Sequence, residues 1–318
     1  MRESTETAAQ STVGLIVDAG PRLGYGHAVR CLRLARGLRY GVEIFALSDD
    51  CRAFFEVKGF KGQLRSPQRD PFPGLVITDL RESHGITAAI RSQGAVHVSI
   101  HDLGLAQCRS SVAIDGSVVQ LFPFLEDKKR ALFLGPSYMV TRPPVTRSTT
   151  RDTVLVTLGG GASAQAAKEI ADELAPLGLR AVATGGFGAA AMTSEAELED
   201  AMSRCVFAIS ASGIALYDLL ASGIPTIAVA LDRLQLRTAD AFHELGAVLS
   251  AGLLERMSHV DLMARCHELV ENYPLASRMV AIGRKAVDGK GLSRVVGIVE
   301  HLRREVWSLK QTKTFTAC

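Results

Sequence analysis

The stretch "DAGPRLGYGHAVR", residues 18 to 30, brings Asp18, His27 and Arg30 together around Gly20, Gly24, Tyr25 and Gly26. An imidazole can take a proton from water near neutral pH, and a carboxylate beside it can orient the ring. The apolar run ahead of Asp18 reads as a strand and the run from about His27 as a helix, so Asp18 is the candidate orienting carboxylate at the strand end. At a helix N-terminus the dipole disfavours the protonated ring, which keeps His27 available as a base. Glycines let a ligand approach the backbone, and the helix start favours an anion. The competing reading of a lone histidine is a packed structural residue. A dinucleotide fingerprint fails, because Val29 stands where the third glycine of GxGxxG belongs.

Two further strand-to-helix turns offer the same device. "VTLGGGASAQ" ends a strand with Gly159, Gly160 and Gly161 and supplies Ser163 as a candidate helix cap. "ISASGIALYD" places Ser210, Ser212 and Gly213 in a turn and Asp218 in the helix behind it. Two such loops in one half point to phosphate binding. Asp218 could reach a ribose hydroxyl, as carboxylates do in nucleotide folds, and Gln235 could line the same pocket; each could equally be an exposed polar residue. "SIHDLG" sets His101 and Asp102 at another strand end, but a serine-hydrolase triad would need a nucleophile elbow, and no GxSxG occurs.

These residues are carried by a repeated alternation. "VGLIVDA", "GVEIFAL", "GLVITDL" and "VHVSIHD" read as strands separated by helical patterns, which predicts a parallel sheet. Residues 141 to 152, "TRPPVTRSTTRD", lack apolar periodicity and read as a linker, after which the alternation restarts. The expectation is two α/β, doubly wound, Rossmann-like domains, residues 1–145 and 146–318, with an interdomain cleft and a final helix that packs back on the first domain. Ligands in such sheets sit beyond the carboxyl ends of the strands, where these motifs fall.

The totals fit. A chain of 318 residues, 47% hydrophobic and 22% charged, can bury two cores. A net charge of +3, with basic and acidic residues interleaved, argues against nucleic acid or an anionic membrane as partner. The polar opening and the short apolar run behind it offer no leader or span, which predicts a cytoplasmic protein. Cys31, Cys51, Cys108, Cys205, Cys266 and Cys318 lie far apart, with no CxxC pair and no HExxH, so reduced thiols and no metal site are expected.

Taken in order, "DAGPRLGYGHAVRCLRLA", "GPSYMVTRP", "VTLGGG", "SASGIALYDLLASGIPTIAV" and "DGKGLSRVV" resemble the UDP-sugar hydrolase family of pseudaminic acid biosynthesis. The resemblance implies a GT-B-like fold and no cofactor. It makes His27 the base that activates water, with Asp18 upstream. It assigns Gly24, Tyr25, Gly26, Arg30, Tyr138 and Arg142 to the substrate, and Gly159, Gly160, Gly161, Ser212, Gly213, Asp218 and Gln235 to UDP. The substrate it implies is a UDP-linked 2,4-diacetamido-2,4,6-trideoxy hexose. Ile16 stands where the family has an arginine, Ile214 and Ala215 where it has threonines, and Leu234 where it has an asparagine. Two other readings stay open: a glycosyltransferase using a UDP-sugar donor, and an inactive nucleotide-sugar binding relative.

Overall fold

Five-residue runs such as VGLIV, LVITD, TVLVT and TIAVA bury every one of their residues, the pattern of strands covered on both faces. The computed structural model describes residues 12–82, 85–105, 108–122, 124, 130–160, 163–185 and 193–315, with side chains to 306. Contacts divide the chain into two units, Met1–Val140 with Gly291–Cys318, and Thr141–Lys290.

The first unit holds β1 (Val13–Val17), β2 (Val42–Ala46), β3 (Gln63–Arg65), β4 (Leu75–Asp79), β5 (Val96–His101), β6 (Val112–Asp115) and β7 (Ala131–Leu134). They form one sheet in the order β3-β2-β1-β4-β5-β6-β7, with every pairing parallel. The order reverses between β1 and β4, the kind of switch point beyond whose carboxyl ends ligands sit in open α/β sheets. Helices α1 (Gly26–Gly37), α2 (Asp49–Val57) and α3 (Ile86–Ser92) connect the strands. Ile16, Phe45, Val76, Leu80 and Ile90 form one apolar cluster of this unit.

The second unit holds β8 (Thr153–Thr157), β9 (Arg180–Ala183), β10 (Cys205–Ala211), β11 (Thr226–Ala230) and β12 (Leu249–Leu253) in the parallel order β12-β11-β10-β8-β9. Its helices are α4 (Ser163–Glu173), α5 (Glu195–Ser203), α6 (Ile214–Ala221), α7 (Arg233–Glu244), α8 (His259–Glu271) and α9 (Tyr273–Ala286). The order reverses between β8 and β10. Phe207, Ile209, Ile227 and Val229 lie in its larger core cluster.

The terminal helix α10 (Gly291–Phe315) returns to the first unit. Gly37 on α1 leaves room there for Leu292 and Val296, and the Arg303 guanidinium lies 3.5 Å from the centre of the Tyr40 ring. Cys31, Cys51, Cys205 and Cys266 are buried and free, and Cys108 is free and half-buried; Cys318 lies outside the described residues. Among the described residues, no helix is long and apolar enough to cross a membrane, and no group of three or more His, Cys, Asp or Glu could hold a metal ion.

Candidate active site

Helix α1 starts abruptly. Gly20 and Gly24 pair as an antiparallel bridge, and Gly24 adopts φ +79°, a left-handed turn that glycine makes without strain. Tyr25 stands at the cap position of the helix, its ring stacked on Phe54 at 5.9 Å. Side chains built on Gly24 or Gly26 would meet nothing within 4 Å, so the space in front of the first turn is open. His27, Arg30, Cys31 and Leu34 follow at helical spacing and share one face.

The carboxylate that meets His27 is Asp79, the last residue of β4. Its Oδ1 lies 2.7 Å from His27 Nδ1, and its side chain is wholly buried. An ionised carboxylate only accepts, so Nδ1 carries the proton and the neutral ring presents its lone pair on Nε2. Asp18, expected in this role, turns elsewhere. It accepts hydrogen bonds from Ser48 Oγ at 2.6 Å and from the Ala19 amide at 2.9 Å, tying the cap of α2 to the end of β1.

Arg30 locks the arrangement. Its Nε and Nη2 each donate to Asp79 at 2.6 Å, and its Nη1 donates to Asp102 Oδ1 at 2.6 Å, with Nη2 to Asp102 Oδ2 at 3.1 Å. Arg30 is only 4% exposed and gives four hydrogen bonds to the two carboxylates, so it fixes both beside His27.

The electrostatics reverse the helix-dipole expectation for His27. Burial works against the charged ring, but the charge and hydrogen bond of Asp79, helped by Asp102, outweigh it and raise the His27 pKa above its ordinary value. Burial also opposes ionisation of Asp79, yet Arg30 and His27 hold it far below the usual carboxylate range. Asp102 is likewise lowered, by Arg30 and His27 against burial.

The serine-hydrolase alternative fails on geometry. His101 Nε2 does lie 2.6 Å from Ser99 Oγ, but Ser99 is 1% exposed, His101 Nδ1 faces the Leu105 carbonyl at 3.0 Å, and Asp102 is engaged by Arg30.

In the second unit, the turns after β8 and β10 flank the reversal of strand order. Gly159 adopts φ +91° and is exposed, and Gly160 follows; Gly161 lies outside the described residues. Ser163, expected as a cap, is the first residue of α4 and donates to the carbonyls of Leu158 and Gly160. Gly213 caps α6 with no side-chain hydrogen bond and open space before it. Ser212 is buried, its hydroxyl donating to the Val229 carbonyl at 3.0 Å. Asp218 is buried too and accepts from the Arg142 amide at 2.9 Å, so this carboxylate fixes the chain at Arg142. Gln235 lies in the first turn of α7, its Oε1 accepting from the Leu231 amide. Tyr138 stands in a single 3-10 turn, Pro136–Tyr138, edge-on to Phe133. Ile16 is fully buried in the core of the first unit.

Asp79 is the site residue that no motif pointed to, and Asp102, singled out beside His101 for a triad, instead stands beside His27. The available signal was an acid closing an apolar run, in "ITD" and "IHD" as in "IVD" at Asp18.

No protein-family model matches the chain. It is 25% identical over 337 residues to the spore coat polysaccharide biosynthesis protein SpsG of Bacillus subtilis (strain 168), covering 91% of this chain and 98% of that protein. Its fold is similar to the MurG structure from Acinetobacter baumannii, with TM-score 0.60, 13% identity and coverage of 92% of this chain and 99% of that one. It is also similar to the glycosyltransferase VinC solved with dTDP, with TM-score 0.58, 15% identity and coverage of 92% and 100%. The chain is thus an α/β protein of the GT-B type, similar along nine tenths of its length to a polysaccharide biosynthesis protein.

Proposed function

We propose that this protein hydrolyses a UDP-linked amino-deoxy sugar to UDP and free sugar, with His27 as the general base. The observation that carries the reading is the His27–Asp79 pair at the mouth of an open glycine turn. Asp79 fixes the tautomer and strengthens the base, and among the described residues Nε2 has no hydrogen-bond partner. In the proposed step, Nε2 takes a proton from water while the water oxygen bonds to the anomeric carbon. The bond from that carbon to the diphosphate oxygen breaks, and its electron pair leaves with UDP. General-base help of this kind supplies about 10²–10⁴-fold. The open glycine turns at Gly159–Gly160 and Gly213 are assigned to the diphosphate, whose negative charge suits helix N-termini and backbone N–H groups. The resemblance of "GYGHAVR" to the hydrolase family favours water as the acceptor and a diacetamido-trideoxy hexose as the sugar. The fold's likeness to glycosyltransferases favours the second reading, in which a sugar or protein hydroxyl replaces water.

Incubation with a panel of UDP-sugars, with and without acceptors, separates the two when UDP is followed by chromatography. Acceptor-free release of UDP, persisting in EDTA, is expected. Release that requires an acceptor assigns transferase activity, and tight binding without turnover assigns a binding protein.

A further inference from the structure

Asp102 presents a carboxylate beside His27, and the fold goes to some length to hold it there. Its Oδ2 lies 3.8 Å from His27 Nδ1, and its side chain is 38% exposed, whereas Asp79 is wholly buried. Arg30 grips one side of both Asp102 oxygens and leaves the other side toward solvent. The next residue, Leu103, has φ 58°, and among the described residues it is the one non-glycine with positive φ; Gly104 follows at φ 72°. That conformation is held from behind. Ser117 Oγ accepts from the Leu103 amide at 2.8 Å, and Asp115 Oδ2 accepts from the Gly104 amide at 2.6 Å. A Cβ on Gly104 would stand 2.2 Å from the Phe122 carbonyl oxygen, so the turn has no slack. Backbone held in such a sparsely populated conformation by buried neighbours is concentrated at functional sites.

We propose that Asp102 is a sugar-recognising residue, which accepts a hydrogen bond from a hydroxyl or amide N–H of the sugar that His27 acts on. The proposal rests on the assignment of a nucleotide sugar to this site and adds the chemistry of its recognition. Held ionised beside Arg30 and His27, Asp102 has only acceptors to offer. It therefore selects sugars with a donor at the matching position. The two carboxylates divide the work: Asp79 supports the base from the buried side, and Asp102 faces the ligand.

The test uses the full chain with UDP-N-acetylglucosamine and UDP as probes, for wild type, Asp102→Asn and Asp102→Ala. Calorimetry gives each Kd, and melting curves check the fold. The wild type is expected to hold the UDP-sugar more tightly than UDP. Both variants should lose that increment, roughly tenfold or more for a hydrogen bond to a charged group, and keep the wild-type Kd for UDP. Asp102→Asn preserves the shape of the side chain and carries the test if Asp102→Ala does not fold. Variants that keep the increment, variants that lose UDP in the same proportion, or a wild type that shows no increment each overturn the proposal. Acceptor-free UDP release by the wild type is followed alongside. Its absence removes the hydrolase reading alone, while the affinity increment still decides the role of Asp102.

Discussion

Asp79 Oδ1 lies 2.7 Å from His27 Nδ1 across 52 residues of sequence, and the same carboxylate receives two donors from Arg30. Three ionisable groups are thereby packed together, Asp79 and Arg30 buried and the His27 side chain 13% exposed, and each depends on the others.

The pair sets the pH dependence of turnover. His27 must be neutral to accept a proton, and its pKa is raised, so kcat is expected to climb with pH through an acidic limb above the ordinary histidine value of 6.5. Asp79→Asn removes the charge that raises it, so the limb should move to lower pH while the plateau falls about 10²-fold or more. The same change leaves Arg30 buried beside a neutral amide and should cost roughly 3 kcal/mol of stability. His27→Ala should lower kcat about 10²-fold with UDP affinity near wild type. A folded His27→Ala protein with undiminished kcat, measured against wild type, would remove the imidazole from the mechanism.

The open glycines separate binding from folding. Gly26 is the first residue of α1 and a Cβ there meets nothing within 4 Å, so Gly26→Ala should keep or raise the melting temperature, since alanine is favoured in helices by about 1 kcal/mol. If sugar fills that space, KM rises several-fold. Gly213→Val should likewise fold and weaken UDP binding about tenfold. Asp218→Ala should instead lower stability, because the Arg142 amide loses its acceptor. Calorimetry and melting curves on the three variants decide; wild-type UDP affinity in folded Gly213→Val would move the nucleotide away from α6.

Two buried histidines contribute to the response to acid. Burial pushes His97 and His101 down to about 4, with Thr78 and Ser99 as their hydroxyl partners. Between about pH 6.5 and 4 the unfolded chain binds protons that these two sites refuse, so their contribution makes stability fall as pH falls through that window. His27 acts oppositely. Its raised pKa adds stability that is fully present below 6.5 and is lost as pH rises through the folded value. The share of His97 and His101 alone is expected to lower the urea midpoint between pH 7 and pH 4.5. A His97→Gln/His101→Gln double variant should show a smaller drop; an equal drop would place the acid sensitivity elsewhere.

Local physics was written along the chain. Apolar runs five residues long, glycine turns and amphipathic stretches specify βα units, and the position of His27 at the start of a helix follows from the glycines ahead of it. Arg30 also carried a signal, since at three residues from His27 it lies on the face of α1 with Cys31 and Leu34, where a cation requires buried partners. What the sequence left open was which partners. Asp18, Asp79, Asp102 and Asp115 each stand at or just past the end of a strand, and along the chain Asp18 is the acid nearest His27. The order of strands decides among them. β4 lies beside β1, with Asp79 in register with Val17, so the end of β4 is carried to the first turn of α1, while Asp18 is drawn to Ser48 at the cap of α2. That order is fixed by how the whole sheet buries its strands between helices, a long-range outcome that no local spacing encodes. The pKa of His27 follows it, because the helix end alone would disfavour the charged ring and a buried carboxylate reverses the balance.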